Sequence, residues 1–274
     1  MSTSMSTAMS TSMSTPMSAP GGTWVLLRGL MREQRHWGRF PGQLAETVAG
    51  ADVVTPDLPG NGVRHALRSP TTVARMVAFC RQDLLERGLR PPYSLLALSL
   101  GGMVAVEWAS RHPDELTRCV LINTSMRPHS RFHQRLRWRN YPAIIRQLLD
   151  GGVEQQERLI LRLTSRHGDA AERAGLLNRW LGYQREFPVT RANALRQLWS
   201  AARYRAPLAR PTMPLLILSS AGDQLVDPGC SRRLAAAWRA EHREHPDAGH
   251  DLPLDDGAWV ADHIEKWLAA GQAG

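Results

Sequence analysis

The stretch Tyr93-Ser94-Leu95-Leu96-Ala97-Leu98-Ser99-Leu100-Gly101-Gly102-Met103-Val104-Ala105 restricts the fold of this chain more than any other. It opens as an almost unbroken apolar run, which predicts a strand buried on both faces. Strands of that kind belong to parallel sheets covered by helices on each side. The run stops abruptly at small residues and resumes as Met103-Val104-Ala105-Val106-Glu107-Trp108-Ala109, a predicted buried helix. A serine, Ser99, therefore sits where a strand turns sharply into a helix. Such a turn exposes the hydroxyl and leaves the N–H of the next residue, Leu100, free to bind an anion.

Composition narrows the setting. With 274 residues and 43% hydrophobic content, the chain can build one large α/β domain with a real core. No run approaches the roughly 18 apolar residues of a membrane span, so no transmembrane segment is expected. The three cysteines, Cys80, Cys119 and Cys230, fit no disulfide or metal spacing. A reducing, cytoplasmic setting is the natural expectation, with no metal and no cofactor. The formal charge is +9, yet Lys266 is the only lysine among 34 basic residues. Arginine used so uniformly reflects coding bias, and no nucleic-acid-binding module groups these charges, so no nucleic-acid partner is expected. The sequence leaves the oligomeric state open.

Residues 1–21 repeat Met-Ser-Thr with small variations and carry no charge or apolar block. A disordered low-complexity tail is the expectation. Strands are then predicted at Thr23–Leu27, Asp52–Pro56, Tyr93–Leu98 and Cys119–Ile122, alternating with helices that include Thr72–Arg87, closed by Gly88. This alternation implies a mostly parallel, doubly wound sheet with helices on both faces. From Met126 to about Ala206 only helical periodicities occur, such as Leu177, Trp180, Leu181 and Leu195, Leu198, Trp199, Ala202. Strand character returns at Met213–Leu218 and again at His242–Pro246, and a helix over Asp256–Ala269 closes the chain.

Within the helical stretch, residues 127–149 carry six arginines and no acid. A solvated basic face is the default reading, and steering of an anionic substrate, acyl carrier or lipid surface is the sharper one. Arg131, Arg135 and Arg139 follow at i,i+4 spacing, which on one continuous helix would form an exposed row, with Arg137 projecting elsewhere.

The strand-turn-helix around Ser99 resembles the Gly-x-Ser-x-Gly nucleophile elbow of the α/β-hydrolases, with Ala97 in place of the first glycine. Asp57-Leu58-Pro59-Gly60-Asn61-Gly62 is similar to a turn common in that family, where Asp57 holds backbone N–H groups. Gly222-Asp223-Gln224-Leu225-Val226-Asp227-Pro228 follows the penultimate strand, where the family carries its triad acid. His250, in Asp247-Ala248-Gly249-His250-Asp251, stands where relatives carry the catalytic histidine.

The resemblance implies an α/β-hydrolase core at 22–125 and 207–274, with a helical cap at 126–206. It implies Ser99, Asp223 and His250 as a catalytic triad, with Asp227 left to cap the next helix. It also implies an oxyanion hole from the N–H groups of Leu30 and Leu100, the first following Arg28-Gly29 where the family usually has His-Gly. Trp37 is expected to pack the first helix. The function implied is a serine hydrolase of carboxylic esters or related acyl compounds, working through an acyl-enzyme. The overall layout looks like small carboxylesterases, including the pimeloyl-carrier methyl esterases. Its partner would be a small-molecule acyl substrate, anionic and carrier-bound forms included. Thioesterase, lyase and perhydrolase chemistry on the same site, or a non-catalytic binding protein reusing the fold, are the alternatives.

Overall fold

The structure, a computed structural model, describes residues 22–166 and 168–272. The expected tail over residues 1–21 lies outside the described residues. Six strands form one sheet among those described: β1 (Thr23–Leu27), β2 (Asp52–Val54), β3 (Tyr93–Leu98), β4 (Leu116–Ile122), β5 (Leu215–Ser220) and β6 (Glu241–His245). Their order is β2-β1-β3-β4-β5-β6 and every pairing is parallel. The doubly wound architecture read from the sequence is the one found. The strand order reverses between β1 and β3, so their carboxyl ends frame the crevice where α/β sheets bind ligands.

Alternation along the central strands explains why both faces are covered. Val25, Leu27, Leu95, Ala97, Cys119, Leu121, Leu215 and Ile217 point to one face, and Trp24, Leu26, Leu96, Leu98, Val120, Ile122, Leu216 and Leu218 to the other. The first face packs on α2 (Val73–Glu86), α3 (Leu100–Arg111) and α9 (Gly229–Trp238). The second packs on α1 (Phe40–Thr47), α10 (Leu252–Asp255) and α11 (Gly257–Gln272). Burying apolar area at about 25 cal/mol per Å² on both faces makes this sheet the principal stabilising element.

Between β4 and β5 the chain is helical: α4 (Phe132–Arg135), α5 (Tyr141–Asp150), α6 (Val153–Thr164), α7 (Ala170–Glu186) and α8 (Arg191–Arg203). Leu161, Leu176, Leu177 and Trp180 give this insertion a small core of its own. α7 starts at a capping box, in which the Asp169 carboxylate accepts from the N–H groups of Ala171 and Glu172.

The expected arginine row is not there. α4 ends after four residues, so Arg131, Arg135 and Arg139 do not share one helix. Arg135 is buried and donates to the carbonyl oxygens of Ala201 (2.5 Å) and Ala202 (3.1 Å) at the end of α8. Ala201 O also accepts from the Tyr204 N–H that closes α8 (3.2 Å), and a cation at a helix carboxyl end is favourable.

Candidate active site

Ser99 lies between β3 and α3 with φ +58° and ψ −116°, a region that costs a non-glycine residue roughly 1–3 kcal/mol. The surroundings enforce it. The Ser99 N–H donates to Ile122 O (3.0 Å), and Ser99 O accepts from Gly102 N–H (3.0 Å) and from the Thr124 hydroxyl (2.8 Å). Gly101 is needed because α3 crosses the end of β1 closely: a Cβ there would sit 2.2 Å from Leu27 O. Gly29 answers the same crowding from the opposite side, since a Cβ there would lie 3.1 Å from the Ser99 Cβ. A glycine in this loop thus eases the close approach to the serine.

Asp223 and His250 meet beyond the ends of β5 and β6. The His250 Nδ1 and Asp223 Oδ2 are 2.7 Å apart, and both residues are buried. A carboxylate can only accept, so Nδ1 carries the proton and Nε2 presents its lone pair. The other carboxylate oxygen of Asp223 accepts from the N–H groups of Leu225 (2.8 Å) and Val226 (2.9 Å). That division fixes the carboxylate so that one oxygen is left for the imidazole. Asp227, by contrast, accepts from Gly229 N–H (2.7 Å) and caps α9.

Asn123 ties the serine and histidine segments together. It follows β4 with φ +44°, directly after the Ile122 carbonyl that holds Ser99. Its side-chain amide donates to His250 O (2.8 Å), Gly249 O (3.3 Å) and the Ser220 hydroxyl (2.9 Å), and accepts from Ser220 N–H (2.9 Å). Ser99 and His250 are therefore anchored to adjacent residues at the carboxyl end of β4. No hydrogen bond joins the Ser99 hydroxyl to His250 among the described contacts. In a site awaiting substrate such a bond is often long and tightens only in the complex.

The loop after β1 carries Leu30, whose N–H donates to no protein acceptor among the described residues. The same holds for the Leu100 N–H, which opens α3 and so lies at the positive end of its dipole. Arg28 is buried and gives a two-pronged ion pair to Asp251, with Nη1–Oδ1 3.0 Å and Nη2–Oδ2 2.5 Å. Its guanidinium also lies 4.6 Å over the Trp37 ring. The arginine thereby joins the Leu30 loop to the residue that follows His250. Behind it, Arg32 pairs with the fully buried Glu157 of α6 (2.8 Å) and donates to His36 Nε2 (3.2 Å). His36 Nδ1 lies within hydrogen-bond distance of both the Glu33 N–H (3.2 Å) and the Glu33 carbonyl oxygen (3.3 Å). Burial, with the Arg32 and Arg28 charges adding to it, holds the His36 imidazole well below its ordinary range.

The sequence reading passed over the roles of Asn123, Asp251 and Glu157. An asparagine directly after a buried strand, and an arginine in an apolar strand's last turn, were the signals available. No cluster of three or more metal-ligating side chains occurs among the described residues.

The profile of the family described as the alpha/beta hydrolase fold matches residues 25–257. The chain belongs to the α/β-hydrolase family. Among individual α/β-hydrolases, a pimeloyl-[acyl-carrier protein] methyl ester esterase from Chromobacterium violaceum is 30% identical over 226 residues, covering 78% of this chain and 84% of that protein. A hydrolase from Pseudomonas aeruginosa superposes with a TM-score of 0.72 at 21% identity, covering 92% of this chain and 91% of its own. A thermophilic esterase from Thermogutta terrifontis gives 0.69 at 20% identity, covering 91% and 90%. At that identity the two structures speak for the α/β-hydrolase fold alone.

Proposed function

We propose that this chain is a serine carboxylesterase in which Ser99 is the nucleophile, His250 the general base, and Asp223 the carboxylate that orients and charges the imidazole. The observation that carries the reading is the Asp223–His250 contact of 2.7 Å. It leaves Nε2 unprotonated at the carboxyl end of the sheet, where the backbone holds Ser99 in its strained turn. A serine hydroxyl is a weak nucleophile near neutrality, so attack on an ester carbonyl requires proton transfer to Nε2 as the C–O bond forms. Asp223 stabilises the imidazolium thus made. The carbonyl oxygen becomes an oxyanion held by the N–H groups of Leu30 and Leu100, each such donor contributing roughly 3–4 kcal/mol. The imidazolium then protonates the departing alkoxide, leaving an acyl-Ser99. Water attacks that acyl group by the same steps, and the acid leaves.

In this reading residues 126–206 are a cap over a core made of 22–125 and 207–274, and no cofactor takes part. The acyl group is carried on an acyl carrier, and the bond cut is a small alkyl ester at its far end. The name of the Chromobacterium violaceum relative supports that class. So does a cleft of about 830 Å³ between α5, α6 and α7, lined among the described residues by Arg146, Arg158, Arg162 and Arg173, of which Arg158 is paired with Glu154 at its rim. Such a surface suits an acidic partner. None of the three proposed catalytic side chains lines that cleft, which fits docking of a carrier better than chemistry.

The test is labelling by a fluorophosphonate at Ser99, abolished in Ser99→Ala. His250→Ala and Asp223→Asn should each lower ester hydrolysis by about three or more orders of magnitude, without adding to the loss from Ser99→Ala. Asp227→Asn should leave most activity in place, and the reverse outcome would reassign the acid. For the carrier, kcat/KM for a carrier-borne methyl ester should exceed that for the free ester and fall as salt rises. Equal use of both at all salt concentrations would sink the carrier reading while leaving the esterase intact.

A further inference from the structure

We propose that Gln197, on an inserted helix and outside the triad, is a positioning residue that holds the oxyanion donor Leu30 in place. The inserted helices then complete the catalytic site as well as cover it. The proposal rests on the esterase reading above and goes beyond it to the control of the oxyanion hole.

Gly29 to Arg32 form a turn closed by Arg32 N–H to Gly29 O at 3.4 Å, with Leu30 and Met31 in the middle. Met31 has φ +57° at the third position, the sign of a type II turn, where glycine is normally required. A methionine there is strained, and rotating the central peptide into the type I form would relieve it. One contact opposes that rotation. Gln197 of α8 is completely buried, and its Oε1 accepts from the Met31 N–H at 2.9 Å. In the rotated turn the Leu30 carbonyl would swing toward this oxygen in place of the N–H, and the two acceptors would repel.

The polarity of Gln197 is fixed by a chain of partners. Its Nε2 donates to Asn61 Oδ1 (2.8 Å) and to the Ser69 hydroxyl (3.1 Å). Asn61 must present its oxygen there, because its own Nδ2 donates to Arg32 O at 3.0 Å. Ser69 must accept there, because its hydroxyl donates to Pro59 O at 2.7 Å. The amide therefore cannot flip, and Oε1 stays aimed at Met31. Through Asn61 the same amide also braces the Arg32 end of the turn. A neighbouring contact repeats the logic: the ion pair of Arg32 with Glu157 brings α6 onto the same loop. Met31 and Arg32, the two residues that follow Leu30, are thus held from the insertion, while Leu30 keeps its own N–H free for substrate.

The experiment compares Gln197→Met, which keeps the shape and removes both polar roles, with Gln197→Glu, which retains the acceptor for Met31. Rates are normalised to sites titrated by a fluorophosphonate burst. Gln197→Met should lower kcat about 10–100-fold, less than the roughly 100–1,000-fold cost of removing an oxyanion donor outright, with KM within about two-fold. The pH–rate midpoint should not move, since His250 and Asp223 are untouched. Affinity for a boronate transition-state analogue should fall by the same factor as kcat/KM. Gln197→Glu should lose clearly less, and adding Met31→Gly to Gln197→Met should recover part of the rate, because glycine adopts this φ without support. In the unaltered chain, amide exchange should show the Met31 N–H protected although it lies in a loop. That measurement decides the matter should Gln197→Met not fold. Equal losses from the two Gln197 variants, a loss confined to KM, no recovery with Met31→Gly, or an unprotected Met31 amide would each overturn the proposal. Failure of the wild type to label at Ser99 or cleave any ester would instead remove the esterase reading.

Discussion

The Arg28–Asp251 pair offers the sharpest test of how the loops at the carboxyl end of the sheet are held. Both side chains are at least 96% buried, exposing 4% and 3% of their surface. Asp251→Asn keeps the shape and one acceptor but removes the charge facing the guanidinium. Breaking a buried pair on one side costs about 3–5 kcal/mol, because the surviving ion keeps its desolvation penalty. For a domain of this size each kcal/mol moves the melting temperature by roughly 2–4 °C, so a drop of about 6–20 °C is expected. Replacing both partners by apolar residues, Arg28→Met with Asp251→Leu, removes the penalty along with the attraction and should recover most of the loss. The exposed pair Arg232–Glu244, with 57% and 24% of its side chains accessible, is the control, and Arg232→Ala should cost no more than about 1 kcal/mol. Urea denaturation followed by tryptophan fluorescence supplies the free energies, with the m-value checking that the unfolding reaction is unchanged. A cost below about 1 kcal/mol for Asp251→Asn, or a double variant as unstable as the single, would refute the reasoning.

Two further outcomes are expected. Gly101→Ala should destabilise by about 3 kcal/mol or more, because the added methyl group meets the backbone carbonyl of Leu27, which cannot rotate away. A wild-type melting curve for that variant would show that α3 and β1 can separate freely. His36 has its proton affinity depressed in the folded state, so the unfolded chain takes up a proton that the native one refuses. Its contribution to stability is complete above about pH 6.5 and is lost as pH falls toward the depressed value, at up to about 1.4 kcal/mol per pH unit. His36→Gln should flatten that decline between pH 7.5 and 5.5, and an unchanged pH dependence would count against the buried neutral imidazole.

The residues proposed for catalysis were legible because each depends on local pattern. An apolar run ending at Ser99-Leu100-Gly101-Gly102 defines its own turn, Asp223 follows the apolar strand β5, and His250 was placed by the family resemblance, because β6 before it carries no apolar residue. What holds them was not legible in the same way. Arg28 and Asp251 are 223 positions apart, Met31 and Gln197 166, and neither pair leaves a trace in the spacing of either segment. Arg135 shows the same difficulty in reverse. Its i,i+4 spacing with Arg131 and Arg139 suggested a helix face, yet the chain breaks at Leu136 and the guanidinium turns inward to the end of α8. Local pattern could not foresee that, because the carbonyls it meets lie more than sixty residues away.

The two borders of the sheet bear on how copies of this chain behave in a crowded solution. β2 is only three residues long, and β6 reads Glu241-His242-Arg243-Glu244-His245, five ionisable side chains in succession. A foreign strand seeking to pair alongside β6 would have to strip water from those groups before gaining any backbone bond. β3, β4 and β5, whose apolar sequences would self-associate readily, lie inside these borders and meet no outside edge. The ends of the sheet thus work as a safeguard against fibrous growth. Substituting valines at Arg243 and Glu241 would remove it without touching the chemistry at the other end of the strands.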